Sequence, residues 1–282
     1  MNGTTVNGLE IETAESRKII SLFLALNTFG YDDENNPKGM SAIRRAAKKA
    51  IKRDTLSHAY THLQNAFETC DPWFLISITL NPKRNAGKKD IHKFLNELKT
   101  FSKEPAVNKL LQKAENAQSS SNKILLPILV RELKNIISLV GKPPHKIRKI
   151  VLIANPLDAF WRGYGIPVED TIHIVVGPGA EQNHGATIRH ELLHIFAKRI
   201  KLPSSFAVRP SKNLSRQGYG SQNVLREEYI VRALDILYRH NILGENISSI
   251  ITHEQREFHK IKSAVKIIGK KIGLYSEDGG HH

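Results

Sequence analysis

A single cysteine, Cys70, stands in the 282 residues. This excludes a disulfide framework within the chain and any metal site built from clustered cysteines. No stretch approaches the roughly 18 consecutive apolar residues of a membrane-crossing helix. The segment from Met1 to Arg17 has no uninterrupted apolar run of the kind a secretory leader needs. A cytoplasmic location without membrane attachment is therefore expected. Acidic residues are scarce, with 27 Asp plus Glu against 42 Lys plus Arg and a formal net charge of +15. Aromatics are also few, and they are not interleaved with the basic runs Arg44–Arg53, Lys83–Lys89 and Lys260–Lys271. A stacking platform for single-stranded nucleic acid needs that interleaving. The runs read as solvated helix faces, and an electrostatic footprint for nucleic acid is the alternative.

Apolar residues make up 40% of the chain, enough to bury a sizeable core. Residues 1–14 are polar and show no element. An apolar run over 16–29 predicts a buried helix, and Gly30 to Gly39 reads as a loop. Ser41 can cap the next helix. Helical patterns continue over 56–70, 88–102, 105–117 and 122–140. Gly141-Lys142-Pro143-Pro144 is the clearest boundary. Beyond it, Lys149–Ala154 and Thr171–Val176 read as a small pair of strands. Helices follow at about 185–200, 223–240 and 253–272. The expected class is α-rich α+β, with a helical N-terminal region over 1–142 and a second domain over 143–276. Residues 277–282 read as a tail or tag remnant.

His190-Glu191-Leu192-Leu193-His194 carries the chemistry. Residues four apart on a helix share a face, so two imidazoles in an H-E-x-x-H sequence reach one cation. Neutral imidazole suits Zn²⁺. A carboxylate right after the first His can take a proton from metal-bound water and pass it to a leaving amine. Ile188, Leu192, Ile195, Phe196 and Ile200 make the segment a core helix, where unsatisfied His and Glu side chains are costly.

A catalytic zinc needs a third protein ligand and an open position. Glu227 and Glu228, on a downstream helix, are the candidates. At about 100° per residue, Ile230, Ala233, Leu234 and Leu237 mark the core side. Glu227 falls among them, whereas Glu228 falls with Arg232 and Asp235 on a flank that could face a cleft. Glu228 is favoured. Tyr219, in a glycine-flanked loop between the metal motifs, is the first candidate to stabilise an oxyanion. Tyr229, Arg232 and His240 are weaker ones. His253 and His259, six apart, point to different faces and read as part of a solvated helix.

His190–His194 with a Glu on a later helix resembles the gluzincins, the thermolysin-like zinc metallopeptidases. Gln217-Gly218-Tyr219-Gly220, leading into Glu228-Tyr229-Ile230-Val231-Arg232-Ala233, is similar to an uncharacterised bacterial group of these with a helical N-terminal region. The resemblance covers about 148–240. It implies a zincin-like domain, His190, His194 and Glu228 as zinc ligands, Glu191 as the base, and a peptide or protein substrate. It also implies that the Thr171–Val176 strand edges the cleft and pairs with an extended peptide. The thermolysin-like pattern places an Asp four residues after its ligand Glu to support a ligand His. Here that position is Arg232, and Asp235 is the nearest substitute. The competing expectation is a basic, nucleic-acid-associated protein with a structural or vestigial zinc site.

Overall fold

A computed structural model describes residues 3–31, 39–52, 56–85, 89–216 and 219–275. Arg53, Gln217, Gly218, most of the expected 30–39 loop and the 277–282 tail lie outside them. The described chain is mixed α+β and helix-rich. No described helix is long and apolar enough to cross a membrane. It divides into two compact units, each drawing on both sides of the 142/143 boundary. One comprises 1–130 and 147–188, the other 131–146 and 189–282.

The first unit holds a five-stranded sheet in the order β1-β2-β3-β5-β4, with β1 Thr4–Val6, β2 Leu9–Thr13, β3 Lys149–Ala154, β4 Gly163–Val168 and β5 Thr171–Val176. Residues 3–13 are thus part of the sheet, not an unstructured lead-in. Asn7 and Gly8, at φ 49° and 83°, turn β1 into β2. Asn-Gly favours this hairpin because both turn positions need positive φ. β2 runs parallel to β3, β3 parallel to β5, and β4 antiparallel to β5. The expected edge role of Thr171–Val176 is therefore overturned. Both of its backbone sides are taken by β3 and β4, and β4 is the edge on that side. Trp73 donates from its indole nitrogen to Gly165 O on β4 at 3.1 Å.

Around the sheet stand α1 Arg17–Phe29, α2 Ala42–Ala50, α3 Thr61–Thr69, α4 Pro72–Leu80 and α5 Lys89–Phe101. Helix α4 (Pro-Trp-Phe-Leu-Ile-Ser-Ile-Thr-Leu) is apolar almost throughout and shows no helical stripe. Its start is marked instead by Asp71, whose carboxylate accepts the Phe74 N–H at 2.8 Å, and by Pro72 in the first turn. Arg44 departs from the solvated basic run expected of α2, because it is fully buried. Its Nε donates to Asn27 Oδ1 at 2.7 Å, and its guanidinium lies 4.7 Å over the Tyr31 ring. Tyr31 in turn donates to Asp158 Oδ1 at 2.7 Å, as does the Ala159 N–H. Burial pushes the Asp158 carboxyl up to about 7, against the pull of Tyr31 and Ala159. Its Oδ2 has no hydrogen-bond partner.

The two helices expected over 105–140 are one, α6, Pro105–Val140. The serine run 119–121 does not break it, because two buried amides one turn apart pin that stretch. Gln118 accepts from Ser16 N at 2.8 Å and donates to Ala154 O at 2.7 Å. Asn122 donates to Ala14 O at 3.0 Å and accepts from Ala154 N at 2.8 Å.

The second unit contains most of α7 Ala186–Ala197, then α8 Lys212–Arg216, α9 Gln222–Asn241, α10 Ile247–Glu254 and α11 Ile261–Lys271. The helix expected over 253–272 begins only at Ile261, and its first two residues belong instead to the end of α10. Helices α10 and α11 both pack on α9. Helix α9 is buried over most of its circumference, with Leu225, Tyr229, Val231, Ala233, Leu234, Ile236 and Leu237 all inside.

Candidate metal centre

Helix α7 presents His190 and His194 one turn apart, with ring centroids 5.0 Å from each other and planes at 82°. Helix α9 starts at Ser221, whose hydroxyl accepts the Val224 N–H at 3.2 Å. Arg226 binds the chain before it, donating to Leu202 O at 2.7 Å, to Pro203 O at 3.0 Å and to Phe206 O. These contacts place the next turn, with Glu227 and Glu228, opposite the two rings.

The registry of α7 against α9 is fixed by Arg189, the neighbour of His190. Its side chain is 6% exposed and donates to Asp235 Oδ1 at 2.6 Å. It also lies 3.5 Å from Glu132 Oε2 and 4.7 Å over the Tyr238 ring. Asp235 is therefore the partner of Arg189, and the expectation that it supports a ligand His is corrected.

His190, His194 and Glu228 come together, each offering one ligand atom within 4.8 Å of the others. Glu228 Oε2 lies 3.9 Å from His190 Nε2 and 3.8 Å from His194 Nε2. Bonds of about 2.0–2.1 Å in a tetrahedron put donor atoms about 3.3 Å apart. The two carboxylate–imidazole distances would each close by about 0.5–0.6 Å on a tetrahedral zinc ion. The three residues form a nitrogen-and-carboxylate set that suits zinc.

The helical-phase argument placed Glu227 on the core side and Glu228 on an open flank. The burial is the reverse, with the Glu228 side chain 2% exposed and that of Glu227 43%. Most faces of α9 are covered, so an apolar stripe does not define its inner side. Glu227 has a different place, with its Oε1 2.9 Å from His194 Nδ1. This hydrogen bond leads the lowering of the Glu227 carboxyl below its usual range. Burial opposes charge on His194, yet Glu227, Glu191 and Glu228 outweigh it and raise its pKa. Burial also opposes charge on Glu228, but His190, Arg232 and His194 hold its carboxyl below the ordinary value.

Glu191 is 9% exposed, and its carboxylate has no hydrogen-bond or ion-pair partner among the described residues. Tyr219 is half-buried, with its ring edge against Phe258 at 6.1 Å between centroids. Burial first, then the charge of Glu228, pushes its hydroxyl up to about 12. The charge of Arg232 pulls the other way.

Three further groups complete the surroundings. Arg232 donates from Nε to Glu228 Oε1 at 2.7 Å and from Nη1 to Glu254 Oε2 at 2.9 Å. Its guanidinium stacks 4.5 Å from the Phe258 ring centroid. Glu254 and Phe258 belong to the His253–His259 stretch that reads as a solvated helix. No spacing in the sequence ties them to Glu228, and the link exists only because α10 packs on α9. Tyr229 faces Phe258 and His259, with its hydroxyl 3.5 Å from His259 Nδ1. His240 lies at the far end of α9, with Nδ1 2.9 Å from Glu245 O.

Fold and site together describe a helix-rich α+β protein with a His₂Glu donor set. No family model, no curated protein and no solved structure matches the chain.

Proposed function

We propose that the protein is a zinc-dependent, gluzincin-like metallopeptidase that hydrolyses a peptide or related amide bond. The observation that carries this reading is the convergence of His190 Nε2, His194 Nε2 and Glu228 Oε2, with Glu191 next to His190 in the chain and its charge felt at His194. Zinc bound there supplies a Lewis acid that acidifies water and polarises a carbonyl. Glu191 accepts the proton of the attacking water on a carboxylate oxygen and delivers it to the departing amine nitrogen as the C–N bond breaks. His194, braced by Glu227, and Glu228, braced by Arg232, keep the ligand atoms turned inward. Tyr219, whose hydroxyl lies in the field of Glu228, donates to the developing oxyanion.

The reading of a nucleic-acid-associated protein with a structural zinc is less well supported. Structural sites use four protein ligands, and the group found among the described residues has three.

The deciding experiment is Glu191→Gln. The variant is expected to keep wild-type zinc content while peptide hydrolysis falls by about 10²–10⁴-fold or more. Full hydrolysis by this variant overturns the role of Glu191. Absence of zinc from the wild-type chain after metal loading overturns the function.

A further inference from the structure

A ligand carboxylate can bind zinc through one oxygen or through both, and the second mode consumes the position that water and substrate need. In Glu228 the two oxygens are not equivalent. Oε2 faces the two imidazoles, while Oε1 takes the 2.7 Å hydrogen bond from Arg232 Nε. Arg232 cannot swing away freely. Its Nη1 is tied to Glu254, and its flat face lies on Phe258. A guanidinium stays protonated at any working pH, so Arg232 remains a donor.

We infer that Arg232 is a positioning residue that restricts Glu228 to one-oxygen coordination, with Glu254 and Phe258 fixing the guanidinium in turn. This rests on the metal-centre reading above and adds a second brace to it. Glu227 orients His194, and Arg232 orients Glu228. The sequence position that departs from the thermolysin-like pattern thereby acquires a function of its own. A cation on a ligand carboxylate also draws electron density from Oε2, which keeps a bound metal electron-poor.

The test uses the full chain with Zn²⁺ and Co²⁺ as probes, and the variants Arg232→Met, Arg232→Lys and Glu254→Gln. Zinc affinity is read by competition with a chromophoric chelator. Arg232→Met is expected to weaken it by about 10–100-fold. The visible bands of the cobalt-loaded variant should weaken relative to wild type, because a second carboxylate oxygen raises the coordination number. Arg232→Lys should recover part of both signals, since an ammonium still donates to Oε1. If Arg232→Met does not fold, Glu254→Gln carries the same test, with a smaller loss in the same direction. Wild-type zinc affinity and an unchanged cobalt spectrum in the variants overturn the inference. A wild-type chain that binds neither metal removes both this inference and the peptidase reading. Metal signals that shift as expected in a chain that cleaves no peptide leave the Arg232 brace standing and remove the peptidase reading alone.

Discussion

Nδ1 of His194 stands 2.9 Å from Oε1 of Glu227, while its Nε2 faces Glu228 Oε2 at 3.8 Å. A carboxylate on the far nitrogen fixes the tautomer and raises the basicity of the ligand nitrogen. The adjacent glutamates therefore separate by consequence. Glu228→Gln is expected to abolish tight zinc binding. Glu227→Gln should keep a measurable site with affinity lowered about 10–100-fold. Metal titration of the two variants side by side checks this, and the opposite ranking reverses the assignment.

Tyr219 is the residue whose two roles differ most in their signature. Burial, then the Glu228 charge, pushes its pKa up to about 12. Tyr219→Phe is expected to lower kcat by about 10²-fold if the hydroxyl moves to the oxyanion during reaction. Zinc affinity should change much less. A variant that loses metal in proportion to activity assigns Tyr219 to Glu228 alone.

Arg189 ties α7 to α9 through Asp235 and is not itself one of the His190, His194 and Glu228 group. Arg189→Met leaves Glu132, 2% exposed, with one cationic partner fewer, and frees Asp235. Removing one member of such a buried set costs roughly 3 kcal/mol. Chemical denaturation should show that loss in the metal-free protein. Zinc affinity should fall as well, because α7 and α9 lose their mutual registry.

Asp158 gives the first unit a pH dependence of definite sign. Its folded pKa, about 7, lies above the ordinary 3.8. Between these values the folded state holds a proton that the unfolded chain releases. The stability it supports is complete below about pH 4 and is lost as the pH rises through 7, at up to about 1.4 kcal/mol per unit. Asp158→Asn, which can still accept from Tyr31 and Ala159, should remove that slope. Urea denaturation of both proteins at pH 4.5 and 7.5 measures the difference. Parallel behaviour refutes a neutral Asp158.

The parts readable from the sequence alone were those set by local pattern. The spacing of His190 and His194 needs only one helical turn, the approximate positions of α1, α7 and α9 follow from apolar runs, and Ser41 caps α2 as its residue type suggests. The β1–β2 hairpin did carry a local signal, Asn7-Gly8, that the polar composition of the segment obscured. Other features depend on distant partners. Helix α4 lacks a polar face because nearly all its sides are covered, so periodicity is silent there. The continuity of α6 rests on Gln118 and Asn122 bonding to residues far along the chain. Burial of Arg44 depends on Asn27 and Tyr31, and the link from Glu228 to Glu254 runs through Arg232. The choice between Glu227 and Glu228 turned on burial of a helix wrapped on most faces, which phase alone does not determine.

The interleaving of the two compact units has a practical consequence for dissection. Residues 143–276 include the whole His₂Glu set, yet that span expressed alone would lack β2, the parallel neighbour of β3, and Glu132, the acid beside Arg189. Its sheet would gain a raw edge and its buried cation would lose a counter-charge. The stretch carrying His190, His194 and Glu228 is therefore no transplantable cassette: severing the chain near Gly141 should give two aggregating fragments, and only their co-expression would restore a soluble species.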